Sequence, residues 1–527
     1  MIKNSANWRV SLFRVLKICL FFLSVILVCS LFLLNIFCVS DVTRSPAEQV
    51  KFHFLPVQGL MILIALGLIA VLLSIASPKW LDRINNRNVF VLFSCFYLVI
   101  GAFLIINISP VLITDASSVH NAAKEILAGC YDSLAPGSYL SRYPHQLGLT
   151  IWDMLIYQFS PSPHANFFFN LCLVIGINYF LFRISHQLFH SNGADFFTIF
   201  LSFAFLPQLF FILFAYGTIP GLFFLTLAFY ETLRFMDSSK LFHAAIAAVT
   251  GGIAVSLKSN YIIGVISILI FLTLLLLRSG NKKMIAAILI ILVGISIPKT
   301  LIHHYFSEMP GAELDRGAPA VLWLTMGTDL DNRDRGPGWF NRYNSSTYNE
   351  AGYDPEKAAE IGRADLEKNL EKIKNQPAAA MNFFAFKVIS QWCNPEYQSL
   401  WSGYLPDSGR SLQNSFLQRL YTGGTSYQIL FLYFRLVSLA VWLLSSVYLL
   451  LFGRKHTGWE LFFTCLIGGF LFHFFWEAKS QYIYPYVIIL IPFCAFTLVR
   501  MIHCLYERLM ILFHKAPSSD KTTISQQ

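Results

Sequence analysis

The sequence is short of charge: only 13% of its 527 residues are Asp, Glu, Lys or Arg, against 56% hydrophobic residues. A soluble domain carries roughly 25% charged residues, so this composition excludes a soluble enzyme and indicates an integral membrane protein. The formal net charge of +10 does not indicate a nucleic-acid partner, because the Lys and Arg residues lie mostly in short loops beside apolar runs. That distribution is typical of the cytoplasmic loops of membrane proteins.

Signals of several other protein classes are also missing. The ten cysteines follow no disulfide or metal-ligand spacing, and most lie in apolar runs, where Cys behaves as a small hydrophobic residue. Cys130 and Cys393 fall in polar loops predicted on one side of the membrane; we expect two free thiols, with a disulfide as the alternative. The chain has no Gly-rich phosphate loop, no internal repeat and no inverted pair of broken helices of the kind that marks many transporters.

Long apolar runs dominate what is present. A membrane-spanning helix needs roughly 20 mostly apolar residues, and we count about twelve such runs. The predicted fold class is therefore an all-α polytopic membrane protein with large extracytoplasmic loops. The first run, 11–39, exceeds the roughly 7–15 residues of a signal-peptide core and predicts a retained anchor. Basic residues near the N-terminus, among them Lys3 and Arg9, predict that this end is cytoplasmic, and alternation of the spans then places Asp115 outside.

The apolar runs divide the chain into regions. In order, these are a two-helix N-terminal addition (1–88), a transmembrane core (89–302) with a polar first outer loop (109–164), a large extracytoplasmic segment (303–425), C-terminal transmembrane helices (426–510) and a cytoplasmic tail (511–527). Within the large segment, Asp354-Pro355-Glu356 has the N-cap, first-turn proline and early acid of a helix start. Asn375-Gln376-Pro377 predicts the end of that helix.

The functional interpretation centres on the polar loop 114–148. It begins with a lone acid, Asp115, close to the end of a membrane-length run, and later contains Arg142, Tyr143 and His145. Ionisable groups beside membrane spans are functional candidates. Asp115 could equally cap the helix that follows it, and Arg142 could reach the lipid headgroups. His145, taken alone, is more often a structural residue than a catalytic one.

Further ionisable groups are predicted on the same face. Lys258 lies in a turn between two apolar runs, and Glu477, Lys479 and Tyr482 lie where the last two spans meet. Singly, each has an ordinary explanation, as an interfacial lysine, a solvated pair or part of an aromatic belt. Their shared side of the membrane favours a functional site. The middle of the spans is nearly free of charge, with Arg435 as the main exception, which disfavours a transport path.

The order of these features resembles the GT-C class of polytopic membrane glycosyltransferases, which includes the protein O-mannosyltransferases, the aminoarabinose transferase and bacterial relatives. The similar features are an acid after an early span, Gly-x-Tyr and Tyr-Pro-x-x-x-Gly turns, a lone lysine between two spans and a late Lys-x-x-Tyr-x-x-Pro-Tyr motif. Here they are Asp115, Gly129-Cys130-Tyr131, Tyr143 to Gly148, Lys258, Lys479 to Tyr486, and the outer-loop motifs Gly317-Ala318-Pro319, Trp323 to Gly327 and Trp392 to Pro395.

The resemblance implies an enzyme that moves a sugar from a polyprenyl-phosphate donor to a hydroxyl of a glycan, lipid or protein, with inversion at the anomeric carbon. It implies a bacterial cytoplasmic membrane protein with its active site on the extracytoplasmic face. The site residues that it implies are Asp115 as general base, Lys258, Arg142 and Lys479 at the donor phosphate, and Tyr143, His145, Glu477 and Tyr482 around the substrates.

The resemblance implies no cofactor with certainty. Some relatives carry two adjacent acids at the catalytic position, whereas Ala116 follows Asp115 here, so we predict no metal ligands and leave a divalent metal open. Two other functions stay open beside the enzyme. One is a transporter or flippase for a lipid-linked or anionic solute, and the other is a non-catalytic membrane subunit that kept the scaffold.

Overall fold

The computed structural model describes residues 2–75, 78–314, 317–405 and 408–514, and the described chain is predominantly helical. Most of the cytoplasmic tail predicted over 511–527 lies outside the described residues. Within them, the sheet is limited to one two-stranded hairpin.

That hairpin follows the first helix. The N-terminal elements are α1 (Ile2–Phe37), β1 (Cys38–Val42), β2 (Val50–Phe54), α2 (Pro56–Leu73), α3 (Trp80–Arg83) and α4 (Asn86–Ile106). The strands pair antiparallel, with Cys38 opposite Phe54 and Val42 opposite Val50. The hairpin corrects the all-helical prediction, which treated this stretch as a short polar loop. Residues 50–54 alternate apolar and polar side chains, which is the period of a strand, but they are too few to stand out beside long apolar runs.

The first polar loop is folded. It contains α5 (Thr114–Leu127), α6 (Tyr139–Arg142) and α7 (Leu147–Tyr157), with 3₁₀ turns at Asp132–Leu134 and Pro144–Gln146. Asp115 lies in the first turn of α5, and the N-cap is Ile113. Asp115 is therefore not the N-cap residue, which was the ordinary explanation for its position.

The apolar core that follows differs from the predicted spans in one place. Its helices are α8 (Pro163–Phe189), α9 (Asn192–Ala204), α10 (Pro207–Phe211), α11 (Thr218–Ser238), α12 (Leu241–Leu257), α13 (Ile262–Ser279) after a 3₁₀ turn at Ser259–Tyr261, and α14 (Lys283–Ser307). The apolar run 196–216, which the sequence predicts as one of the spans, is not a single helix. Phe205 has a non-helical ψ of 72°, and Pro207 lacks the backbone N–H that a continuing helix would need.

The large polar segment contributes short helices that pack over one end of the bundle. They are α15 (Val321–Thr328), α16 (Tyr343–Glu350), α17 (Pro355–Asn375), α18 (Pro377–Trp392), α19 (Ser399–Gly403) and α20 (Ser415–Thr422). The predicted helix start is confirmed: the Asp354 carboxylate accepts hydrogen bonds from the backbone N–H groups of Glu356 (2.9 Å) and Lys357 (3.2 Å). The predicted end is confirmed as well, since α17 stops at Asn375.

The chain ends in four more apolar helices. They are α21 (Thr425–Leu451), α22 (Trp459–Phe475), α23 (Tyr484–Ile488) after a 3₁₀ turn at Ser480–Tyr482, and α24 (Ile491–His514). Among the described residues, eight helices are long and apolar enough to cross a membrane, and a ninth span results if the last two segments, bent by 51°, act as one. The protein is thus a largely α-helical membrane protein, but the predicted count of twelve spans is not confirmed.

Loops of alternate helices meet at opposite ends of the bundle. At one end, Lys17 of α1 forms a 2.7 Å ion pair with Glu460, which begins α22. At the other end, the β1–β2 hairpin, the α5–α7 loop, the turn after α12 and the segment after α22 come together. This second end contains all the residues that the sequence singled out.

Arg435 joins the N-terminal helices to the core. Its guanidinium donates hydrogen bonds to the carbonyl oxygens of Ile36 (3.0 Å) and Leu55 (3.1 Å), and it also contacts the side chain of Gln58. At the same junction α2 approaches α1 so closely that a Cβ on Gly59 would lie 2.0 Å from the Ile36 carbonyl oxygen. The hairpin between α1 and α2 is therefore fixed at its base by close packing and by a buried guanidinium.

Substituting Gly59 tests this junction. We expect Gly59→Ala to destabilise the protein by about 1–3 kcal/mol, because the added methyl group forces two packed helices apart. The matched control is Gly67→Ala on the same helix, where an added Cβ meets no atom within 4 Å. Melting temperatures of both variants in detergent check the prediction. An equal effect of the two substitutions would contradict the close approach of α1 and α2.

Candidate active site

A cavity of about 280 Å³ lies at the hairpin end of the bundle and contains Asp115. A second cavity of about 250 Å³ lies beside it and contains Lys258. The two share part of their lining: His145, Gln146, Tyr216, Trp323, Glu477 and Tyr482. Segments far apart in the chain therefore build one composite site with an acidic and a basic compartment.

Asp115 faces the first cavity from the start of α5. The residue before it, Thr114, has a φ of 54°, which is a strained conformation for a β-branched residue. The Asp115 side chain is accessible, but the surface it exposes faces the cavity, and protein surrounds it. This burial raises its pKa, while the charges of Lys479 and Lys258 and a hydrogen bond from Tyr139 act in the opposite direction. A carboxylate with a raised pKa is a stronger base, and the neighbouring cations favour its ionised form.

The turn that carries Lys258 is held against the start of α11. A Cβ on Gly217 would lie 1.9 Å from the carbonyl oxygen of Leu257, so this contact requires glycine. The Lys258 side chain is 9% exposed, and its Nζ donates a 2.9 Å hydrogen bond to the hydroxyl of Thr218. The turn thereby points a buried amine into the second cavity.

Lys258 lacks an acidic partner. Its Nζ lies 4.9 Å from the ring centroid of Tyr216 and 5.2 Å from that of Tyr482, where the π-systems attract a cation. Among the residues that the structure describes, no carboxylate oxygen is within ion-pair distance of it. Burial, followed by the charge of Lys479, lowers the pKa of Lys258 to about 7, although Asp115 and other acids oppose this shift. A bound anion would favour the protonated amine.

Lys479, in contrast, is fully paired. Its Nζ contacts both carboxylate oxygens of Glu48, at 3.0 and 3.1 Å. Glu48 is 3% exposed and also accepts a 2.9 Å hydrogen bond from Arg335. Burial alone would lower the pKa of Lys479, but the charges of Glu48 and Glu477 raise it. Lys479 is therefore a fixed cation whose charge is already compensated.

Glu477 lies in the wall between the two cavities. It is 4% exposed, and burial raises its pKa to about 7, with Lys479 acting in the opposite direction. Its backbone is held on both sides: Ala478 donates a 2.8 Å hydrogen bond to the Gly338 carbonyl, and the Lys387 amine donates to that of Trp476 at 2.7 Å. Glu477 thus sits in a rigid segment as a carboxyl group that is partly protonated at neutral pH.

Aromatic rings form another side of the site. The indoles of Trp323 and Trp476 are parallel, with centroids 6.1 Å apart and an interplanar angle of 2°. Tyr143 and His145 pack edge-on against Trp323. Burial lowers the pKa of His145 to about 4, so its ring is neutral at pH 7. Flat apolar faces beside a few hydrogen-bonding groups suit a ring-shaped polar ligand.

The structure brings together all but one of the predicted site residues. Those that line the two cavities are Asp115, Tyr143, His145, Lys258, Glu477, Lys479 and Tyr482. Arg142 is absent from the lining. Its guanidinium lies 5.8 Å from the ring centroid of Tyr353 and donates a hydrogen bond to the Gly137 carbonyl, so it ties two outer segments together. It also lies 6.0 Å from the ring centroid of Tyr143, which lines the first cavity, and its contact with a donor phosphate stays a prediction.

Several lining residues were not predicted from the sequence. Trp323 belongs to an outer-loop motif of the GT-C resemblance and Trp476 directly precedes Glu477, but no role was assigned to either residue. Glu48 was missed because it belongs to the N-terminal region that was regarded as an addition. The available signal was an acid in a short loop on the same side of the membrane as Asp115.

Comparison with known proteins adds no identification. No protein-family model matches this chain. No curated protein matches it either. The GT-C resemblance therefore depends on the short motifs described above and stays a prediction.

Two further sequence expectations concern metals and thiols. Within the described ranges, no group of three or more His, Cys, Asp or Glu side chains is arranged to hold a metal ion, and the question of a divalent metal stays open. Cys130 is exposed and Cys393 is buried, and both are free thiols, as expected.

The buried carboxyl of Glu477 gives a pH-dependent prediction. Its pKa is about 7 in the folded protein against an ordinary 4.5, so between these values the folded state holds a proton that the unfolded state has lost. The contribution of Glu477 to stability therefore falls as the pH rises through this window, and Glu477→Gln removes that loss. We expect the melting temperature of Glu477→Gln minus that of wild type to be more positive at pH 8 than at pH 5.

The control for this measurement is Glu367→Gln, on the exposed face of α17. Its melting temperature should follow that of wild type at both pH values. A difference for Glu477→Gln that does not change with pH would contradict a raised pKa at this position.

Proposed function

We propose that the protein is a membrane glycosyltransferase that moves a sugar from a polyprenyl-phosphate donor to an extracytoplasmic hydroxyl. The observation that carries the proposal is Lys258, a buried amine for which the described residues provide no carboxylate partner, in a cavity next to that of Asp115. Burying a charge without a partner is costly. The position therefore suits an anion that arrives with the substrate, and a sugar phosphodiester brings one negative charge.

The surroundings of Lys258 support a donor with a lipid tail. The lysine lies in the turn between α12 and α13, at the end of apolar helices, so a phosphate bound there would be at the membrane surface. A third cavity of about 210 Å³ shares His145 and Ser259 with the basic compartment and continues along Leu147, Val255 and Ile302. Its apolar lining suits the first isoprene units of a polyprenyl chain.

The proposed reaction is a single displacement. The acceptor oxygen attacks the anomeric carbon and transfers its proton to the Asp115 carboxylate, while the bond between that carbon and the phosphate oxygen breaks. The polyprenyl phosphate leaves with a second negative charge, which the protonated Lys258 stabilises. Proton transfer to a positioned base contributes typically 10²–10⁴-fold, and fixed cations in a site that excludes water add to this. Attack opposite the leaving group inverts the anomeric centre.

The other site residues divide between the two substrates. Tyr143, His145 and Trp323 would pack against the transferred sugar, and Tyr482 would lie beside the phosphate. Because Glu48 compensates the charge of Lys479, this lysine is better suited to keep Asp115 ionised than to bind the donor phosphate. The proposed location is the bacterial cytoplasmic membrane with the site on its extracytoplasmic face, and the scheme uses no cofactor.

A transporter or flippase is less well supported. Its path would need ionisable groups within the spans, and Arg435 was the main candidate. The guanidinium of Arg435 is instead occupied by the carbonyl groups of Ile36 and Leu55. The charged residues that line the two cavities, such as Asp115, Lys258 and Glu477, all lie at one end of the bundle. This position favours chemistry at a membrane surface.

Replacing the proposed base tests the reaction. We expect the purified protein to release polyprenyl phosphate from one member of a panel of polyprenyl-phosphate hexoses, and Asp115→Asn to lower the rate by about 10²–10⁴-fold. The amide keeps the shape of the side chain but cannot accept the proton. The released lipid phosphate is quantified by mass spectrometry.

The matched control is Asp132→Asn, an exposed acid in the same loop, which should keep wild-type turnover. Release that survives Asp115→Asn would move the base elsewhere, with Glu477 next in line. No release from any donor by a folded wild-type protein would reject the proposed function in favour of the transporter or the non-catalytic subunit.

A further inference from the structure

The loop of the β1–β2 hairpin is built into the site. The Val50 backbone N–H donates a 2.7 Å hydrogen bond to the Arg335 carbonyl, and the Trp401 indole donates to the Ser45 carbonyl at 3.1 Å. Pro46 and Glu48 of this loop line the cavity that contains Asp115. A segment that follows the first membrane helix thus forms one wall of a cavity made mainly by the later chain.

Glu48 occupies a buried position between two cations. One carboxylate oxygen accepts from Lys479 at 3.0 Å, and the other from Lys479 at 3.1 Å and Arg335 at 2.9 Å. The amide of Gln398 adds a longer contact of 3.4 Å. Almost every acceptor position of the carboxylate is used. A buried carboxylate with so many hydrogen bonds holds its donors, Lys479 and Arg335, in place, and they hold the carboxylate in place.

The backbone of Glu48 is strained. Its φ of 48° is in the left-handed region, which non-glycine residues other than Asn and Asp rarely adopt. Thr114, beside Asp115, and Gln398 share this feature, with φ values of 54° and 56°. Strained residues persist where the surrounding structure over-determines them, and they cluster at functional sites. Two of these residues, Glu48 and Thr114, line the cavity, and the third, Gln398, contacts the Glu48 carboxylate.

We propose that Glu48 is a positioning residue of the site, which holds Lys479 and Arg335 in the cavity wall and keeps Lys479 as a fixed cation facing Asp115. The N-terminal hairpin is then an integral part of the site rather than an addition. The role in turnover rests on the proposed function, whereas the role in holding Lys479 does not.

The charges around Lys479 set the expected effect of losing Glu48. Lys479 faces Glu48 from the hairpin, Asp115 from α5, Glu477 from its own segment and Lys258 from the turn after α12. Glu48 is the acid in direct contact with it. Without that contact, burial favours the neutral amine, and Glu477 and Asp115 remain as the acids that oppose this effect. The proton on Lys479 is then lost at lower pH, and Asp115 loses the cation that keeps it ionised.

The test measures the reactivity of Lys479 in the full-length protein. Only the unprotonated amine reacts with acetic anhydride, so labelling between pH 7 and 10, followed by peptide mass spectrometry, reports its pKa. We expect Glu48→Gln to increase labelling of Lys479 at pH 8 about tenfold for each unit by which the pKa falls. Lys479 is accessible from the cavity, so a small reagent reaches it in both proteins.

Two controls separate this role from general loosening. Asp41→Asn removes a half-buried partner of His53 in the same hairpin and should leave Lys479 labelling at the wild-type level. Lys387, which is fully buried, should stay unlabelled in Glu48→Gln. Unchanged labelling of Lys479 in Glu48→Gln, or an equal rise at Lys387, would overturn the proposal.

Turnover supplies the second readout. If polyprenyl phosphate is released, its pH–rate profile should be displaced in Glu48→Gln and should match that of wild type in Asp41→Asn. The labelling result expected above, together with no release by wild type, would support the role of Glu48 and reject the proposed reaction. If release depends on Asp115 but Lys479 labelling is unchanged in Glu48→Gln, the proposed reaction is supported and the role of Glu48 is rejected.

Discussion

The cost of burying charge is the constraint on which the site depends. Lys479 and Arg335 are partly buried in the cavity wall, and Glu48 compensates both through contacts near 3 Å. Lys258 is also buried. Among the described residues, its amine contacts the Thr218 hydroxyl and the rings of Tyr216 and Tyr482. The protein itself therefore compensates the charge of Lys479, whereas the position of Lys258 suits an anionic ligand. This difference distinguishes a structural ion pair in one cavity from a candidate anion site in the adjoining cavity.

The fold is arranged to bring these charges to one place. Arg435 and the close contact at Gly59 fix the first two helices against the core, and this fixes the hairpin that contains Glu48. The polar segment after α14 covers the same end and supplies Trp323 and Arg335. Because the charged groups come from the hairpin, α5, the α12–α13 turn and the segment after α22, the site exists only when the bundle is assembled.

The sequence predicted the membrane class and most of the apolar helices. All of the site residues that it proposed, except Arg142, line the two cavities. It could do so because a shared side of the membrane follows from alternation of apolar runs and basic loops. The sequence could not predict which charged side chains form ion pairs with each other. Whether Lys479 or Lys258 binds the ligand depends on which of them meets Glu48, a residue 431 positions away from Lys479. The hairpin and the break at Phe205 were missed because five-residue strands and single proline breaks give little signal beside runs of 20 apolar residues.

A structure of the protein with bound polyprenyl phosphate, obtained by cryo-electron microscopy in lipid nanodiscs, tests this account most directly. We expect the phosphate to lie within hydrogen-bonding distance of the Lys258 amine. The lipid chain should extend along α12 and α14, and the Lys479–Glu48 pair should stay intact. A phosphate bound to Lys479 with Glu48 displaced, or a lipid bound at the opposite, basic end of the bundle, would contradict it.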